Sequence, residues 1–279
     1  MPEIDVEEAI VDPGGNEAHR GSPSLVSPAD KAPVGILAGM ERMVPTADGA
    51  LLWTASEGVG PGIVLSSGGP GCCDYLQPVS ALIDDLGTVV RWEQRGCGRS
   101  TADRKYDLRT AIEDLETIRA AYGFERWIVG GHSWGANLAL AYALEHTERT
   151  AGVLYIVGNG AQNDREWHSA YEAARVDRPE LLPQFEFPHN LEVNKAGNRS
   201  WREYIKHPTF LRRVSDLQVP ILFVCASDDI RLSWPVEQLA HLAPKGQFHS
   251  VEGAGHHLEL THVGELAAIL RRFLFSLER

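Results

Sequence analysis

The residues best suited to covalent chemistry are gathered in Gly131-His132-Ser133-Trp134-Gly135, and the chemistry they suggest is attack by a serine hydroxyl. The pentapeptide follows the apolar run Trp127 to Gly130 and precedes the helix-like run Ala136 to Glu145. A G-x-S-x-G set between a strand and a helix is a sharp turn, strained at the serine and too crowded for side chains beside it. The turn also puts the hydroxyl at a helix N-terminus, where free amides and the dipole favour developing negative charge.

A serine hydroxyl needs a base, and the base needs a carboxylate to orient it. For this kind of turn the expected chain order is Ser, then acid, then His. Pro220 to Cys225 reads as a strand and is followed by Ser227-Asp228-Asp229. Gln247 to Val251 reads as the next and is followed by Gly253-Ala254-Gly255-His256-His257. Spacing alone leaves Asp228 and Asp229 open as the acid, and His256 and His257 as the base. The oxyanion of acyl transfer needs backbone donors. Trp134, directly after Ser133, offers one amide, and the loop Ser67-Gly68-Gly69-Pro70-Gly71 offers Gly69 as the second. That loop matches neither G-x-x-x-x-G-K-[ST] nor G-x-G-x-x-G, so it is not read as a nucleotide cradle.

Elements that position such residues are legible on either side. Glu41 to Thr46 and Ala50 to Ala55 read as a hairpin closed by Asp48-Gly49. Gly62 to Ser66 is a short apolar strand, residues 76 to 86 are helix-like, and Thr88 to Trp92 is a strand. Residues 108 to 122 put Leu108, Ile112, Leu115, Ile118 and Ala121 on one helical face. A strand at Gly152 to Val157 follows, and after a less regular stretch come helices at Pro235 to Leu242 and Gly264 to Leu277. This alternation predicts an α/β fold, with a mostly parallel sheet covered by helices on both faces. Residues 161 to 218 break the rhythm and are too long for an ordinary connection, so they read as an inserted cap.

Composition narrows the classes. A formal net charge of -12 disfavours nucleic acid as a partner. No apolar stretch approaches the roughly 20 residues of a membrane helix, so no membrane is expected. The N-terminus opens on Glu3, Asp5, Glu7 and Glu8 rather than on a basic, apolar leader. Cys72, Cys73, Cys97 and Cys225 match neither a zinc spacing nor a disulfide framework. A reduced, cytoplasmic setting without metal or organic cofactor is the expectation, with a small-molecule or short-peptide substrate as partner.

Gly68-Gly69-Pro70-Gly71, then Glu93-Gln94-Arg95-Gly96-Cys97-Gly98-Arg99-Ser100, then Gly130 to Gly135 resemble the proline iminopeptidase family of α/β-hydrolases, as does Asp74-Tyr75-Leu76. That family carries H-G-G-P-G, D-Q-R-G-x-G-x-S and G-G-S-W-G in this order. The resemblance implies the α/β-hydrolase fold. It makes Asp229, three residues after Ala226, the acid, and His256 the histidine of G-x-G-H. It spans about 35–160 and 212–279, leaving 1–34 as an acidic extension and 161–211 as a short cap insertion. Three departures stand out: Ser67 replaces the loop His, Glu93 replaces an Asp, and His132 adds a residue to the elbow.

In that family cap carboxylates hold the substrate's free amino group. Here Glu203 and Glu166 are the leading candidates by type, beside Glu172 and Glu192, with Trp201 or Trp167 packing a proline ring. The implied activity is a serine hydrolase working through an acyl-enzyme and releasing N-terminal residues from small peptides. A carboxylesterase, lactonase or thioesterase, or an acyltransferase, would use the same triad.

Overall fold

The computed structural model describes residues 39–102, 105–162, 165–182 and 187–277. The acidic extension expected at 1–34 lies outside them. Eight strands form one sheet: β1 (Met40–Pro45), β2 (Leu51–Glu57), β3 (Gly62–Ser66), β4 (Thr88–Trp92), β5 (Trp127–His132), β6 (Thr150–Ile156), β7 (Ile221–Ala226) and β8 (Gly246–Val251). Their spatial order is β1-β2-β4-β3-β5-β6-β7-β8. The β1–β2 and β2–β4 pairs are antiparallel, and every pairing from β4 onward is parallel.

Burial explains the strand sequences. β3 (GIVLS), β5 (WIVGGH) and β7 (ILFVCA) are buried at every position, as strands covered on both faces must be. The edge strands β1 and β8 are partly exposed and correspondingly more polar.

The helices are α1 (Gln77–Ser80), α2 (Leu108–Ala121), α3 (Trp134–Glu145), α4 (Arg165–Asp177), α5 (Leu191–Ile205), α6 (Phe210–Asp216), α7 (Trp234–Leu242), α8 (Leu258–Thr261) and α9 (Val263–Leu277). The helix expected over 76–86 is shorter. After α1 the chain continues through Leu82–Val79, Ile83–Ser80 and Leu86–Ile83 bonds, each closing a three-residue turn. The Ala-rich α3 is buried from Trp134 to Leu144, because small residues let it lie against β5 and β6 beneath α2. α2 starts at Asp107, whose carboxylate accepts from the Thr110 amide at 3.0 Å.

The stretch between β6 and β7 holds α4, α5 and α6. Trp201, Ile205, Phe210 and Val214 share a hydrophobic core with α3, so α5 and α6 bury their apolar faces there, and the boundary expected at residue 212 falls inside α6.

Candidate active site

The strand-to-helix turn at Ser133 shows why the elbow needs its glycines. Ser133 sits at φ 58° and ψ -122°, and its amide donates to the Ile156 carbonyl at 2.9 Å. A Cβ on Gly131 would lie 2.3 Å from the Gly135 carbonyl carbon, and one on Gly135 only 1.9 Å from the Ser66 carbonyl oxygen. Helix α3 therefore starts pressed against the end of β3, and Ser133 is held at the C-terminal edge of the sheet.

The loop after β7 and the loop after β8 meet beside it. His256 Nδ1 and Asp229 Oδ2 are 2.6 Å apart, and both residues are buried. Asp229 Oδ1 accepts the Arg231 amide at 3.0 Å and its guanidinium at 3.2 Å. Burial opposes ionisation of Asp229, but the His256 and Arg231 partners outweigh it and hold the carboxyl well below its usual range. Burial pushes His256 down to about 3, helped by the Arg231 charge, and Asp229 only partly restores it. The imidazole is thus neutral at pH 7 and able to take a proton.

The neighbours behave differently. Asp228 is half-exposed, spends its amide on the Ala254 carbonyl, and accepts from Ser227 Oγ. His257 Nδ1 pairs with Glu259 Oε1 at 2.8 Å. Among the described residues, no hydrogen bond joins Ser133 Oγ to the His256 ring. His132 is the physical link, its ring centroid 4.8 Å from that of His256 and its Nε2 2.8 Å from the His256 carbonyl oxygen.

The glycine loop is held from three sides. Gln94 Oε1 accepts the Gly71 amide at 2.9 Å, and Glu93 accepts the amides of Asp74 and Arg99. Arg91 ties Asp74 to Glu57. Gly69, at φ 111°, and Trp134 donate their amides to no protein acceptor among the described residues, so both remain available to a ligand oxygen. The segment before α5 and the first turn of α5 close over the loop: Cys73 donates its amide to Pro188, Asn190 donates to Gly71, and Asn194 Nδ2 donates to Pro70.

The cap candidates are not gathered at Ser133. Trp201 is 1 % exposed and packs against Tyr204 and Phe210, leaving no ring face for a substrate. Glu203 lines a separate groove between α2 and α5 with Leu108, Ile112 and Tyr204. Glu166 is exposed on α4, with no hydrogen bond or ion pair to the site among the described residues. Among the described residues, the cap carboxylate that lines a cavity with His256 and His257 is Glu180, beside Leu181 and Leu182 in a space of about 360 Å³. Spacing gave no signal for Glu180, because nothing local in the cap sequence says which turn hangs over the β8 loop.

His132, His257 and Glu259 bring their ligating atoms within 4.8 Å of one another. Both His132 nitrogens and His257 Nδ1 already have partners, in the Tyr75 hydroxyl, the His256 carbonyl and Glu259 Oε1. The cluster is a hydrogen-bonded knot behind the site. Its members Tyr75 and Glu259 were not singled out as site residues by sequence reasoning.

The fold is that of the α/β-hydrolases, and the chain is a hydrolytic enzyme. A family described as the alpha/beta hydrolase fold matches residues 61–186. In sequence it is similar to a proline iminopeptidase from Heyndrickxia coagulans, 25% identical over 275 residues that cover 79% of this chain and 93% of the relative. In structure it is similar to proline iminopeptidase from Mycobacterium smegmatis, with a TM-score of 0.68 and 19% identity over 85% of this chain and 98% of that one. A thermophilic esterase from Thermogutta terrifontis superposes with a TM-score of 0.70 and 18% identity, covering 86% and 99%. Among the described residues no helix is long and apolar enough to cross a membrane.

Proposed function

We propose that the protein is a serine hydrolase acting through an acyl-enzyme on Ser133, and that its substrates are short peptides from which it releases the N-terminal residue. The observation that carries the first half is the buried 2.6 Å Asp229–His256 pair at the sheet edge that also carries the strained Ser133. In this reading His256 Nε2 takes the Ser133 Oγ proton as Oγ bonds to the substrate carbonyl carbon. Asp229 stabilises the imidazolium that forms, and the amides of Gly69 and Trp134 receive the oxyanion. Collapse breaks the bond to the leaving amine, which takes the proton from His256. Water then repeats the cycle, freeing the acid and restoring Ser133.

The second half is supported by the proline iminopeptidase relatives and by Glu180. A carboxylate in the cavity beside His256 is suited to a substrate's free ammonium group. Glu180 replaces Glu166 and Glu203 as the cap residue proposed for that role. A small-ester reading is supported by the esterase superposition and by the exposed ion pair that Glu180 makes with Arg178 at 3.4 Å. The test is kcat/KM for a prolyl arylamide and for a matched aryl ester, in the wild type, Ser133→Ala and Glu180→Gln. Arylamide cleavage lost in Ser133→Ala, with a raised KM in Glu180→Gln, is the expected result. Ester cleavage alone discards the peptidase half, and turnover that survives Ser133→Ala discards both.

A further inference from the structure

Two of the positions at which the chain departs from the peptidase motifs, Ser67 and His132, converge on one half-buried residue, Tyr75. Tyr75 N donates to Ser67 Oγ at 3.4 Å, and the Tyr75 hydroxyl lies 2.7 Å from His132 Nδ1. The same hydroxyl oxygen accepts the Gly68 amide at 2.8 Å. Donor and acceptor roles follow from chemistry. Burial favours the neutral His132 ring, and the His256 carbonyl only accepts, so the ring's one proton sits on Nε2 and Nδ1 is left bare to accept from the Tyr75 hydroxyl. His132 Nε2 donates that proton to the His256 carbonyl at 2.8 Å.

The result is an unbranched chain from the glycine loop after β3, through the elbow after β5, to the loop after β8. It fixes Gly68, the residue before the proposed Gly69 donor. It also fixes His132, the residue before Ser133, and the backbone of His256 itself. His132 at its centre is 0 % exposed, and the half-buried Tyr75 is stacked on Phe187 with ring centroids 4.2 Å apart. Glu259 Oε2, buried and without a hydrogen-bond partner of its own, stands 3.5 Å from His132 Nε2 and favours the tautomer with the proton there.

We propose that Tyr75 and His132 are positioning residues that hold the Gly69 amide and the His256 imidazole in register with Ser133. The proposal rests on Ser133 being the nucleophile. It assigns neither residue a contact with substrate.

The experiment uses full-length Tyr75→Phe, His132→Ala, His132→Gln and Ser133→Ala. It reads p-nitrophenyl acetate turnover, the Ki of phenylboronic acid (which forms a tetrahedral adduct on a serine oxygen), and the thermal midpoint. Tyr75→Phe is expected to lower kcat roughly 10- to 100-fold with KM within about twofold, the signature of a misplaced group rather than a lost binding contact. The boronate Ki should rise by the same factor, since the adduct depends on the same oxyanion donors. His132→Ala should do likewise, and His132→Gln should recover part of the loss, because its amide can still donate to the His256 carbonyl. A folded Tyr75→Phe with wild-type kcat and boronate Ki overturns the proposal, whatever its thermal midpoint. If His132→Ala does not fold, Tyr75→Phe decides alone. Turnover surviving in Ser133→Ala overturns the nucleophile reading and this proposal together, whereas its loss beside an unaffected Tyr75→Phe overturns the proposal only.

Discussion

Replacing Gly135 by alanine tests whether the elbow is held by steric contact between α3 and β3. The added Cβ would sit 1.9 Å from the Ser66 carbonyl oxygen, 2.6 Å from its carbon and 2.8 Å from the Ser67 oxygen, all of them backbone atoms with no rotamer to change. To reach 3.0 Å, the closest approach real Cβ atoms tolerate, one element must retreat by about 1.1 Å. One of those elements carries Ser133 and the Trp134 amide, and the other carries Gly68 and Gly69. Overpacking of this kind costs about 1–3 kcal/mol. A displacement near 1 Å between reacting groups lowers kcat/KM on the order of 100-fold. Intrinsic helix propensity pulls the other way, since alanine is better than glycine by about 1 kcal/mol inside a helix. Gly264, near the start of α9, has no atom within 4 Å of an added Cβ and serves as the control. Urea midpoints and kcat/KM on a small aryl ester should show Gly135→Ala destabilised and slow, and Gly264→Ala neutral or slightly stabilised. If the two alanine variants behave alike in both measurements, the packing argument for the elbow is wrong.

Other expectations follow from the same geometry. Because burial and Arg231 hold His256 down to about 3, kcat/KM on an uncharged ester should stay level from pH 7 into mildly acid solution. Arg231→Gln removes a like charge and should move the acid limb upward. Stability should fall as pH drops below the ordinary histidine value near 6.5, because the unfolded state then binds a proton that folded His256 does not. Asp229→Asn should lower kcat by about 10⁴-fold while leaving KM nearly unchanged, read by steady-state kinetics at pH 7. Trp201→Phe should lower the urea midpoint by the equivalent of about 1–3 kcal/mol and leave KM for a prolyl arylamide unmoved, as a core residue should.

Much of the sheet was legible because its strands are local patterns. β3 and β4 match their expected limits, and β5 to β8 come within two residues of theirs, since apolar runs bounded by Gly, Pro and Asp leave few alternatives. The extent of α1 was less legible, because the choice between three- and four-residue turns depends on what the segment packs against. Asp229 and His256 could be separated from Asp228 and His257 by resemblance, but not by spacing. Neighbouring residues on a loop have equal access until the backbone turns one inward.

The cap divides most sharply between what sequence and structure each decide. The sequence by itself determined that residues 161 to 218 interrupt the strand–helix rhythm and that they carry carboxylates and tryptophans. Which of these faces His256 was decided only in three dimensions. Trp201 went to the core because α5 buries its apolar face against α3, and Glu203 followed the same helix to the outer groove. Glu180 reached the His256 cavity because the short turn Pro179–Leu181 lies over the loop after β8. The knot of Gly68, Tyr75, His132 and His256 is likewise invisible in one dimension. Its members are separated by 7, 57 and 124 residues along the chain and meet only where parallel strands end side by side. Local chemistry is written in neighbouring residues, but contact between distant loops is set by the order of strands in the sheet.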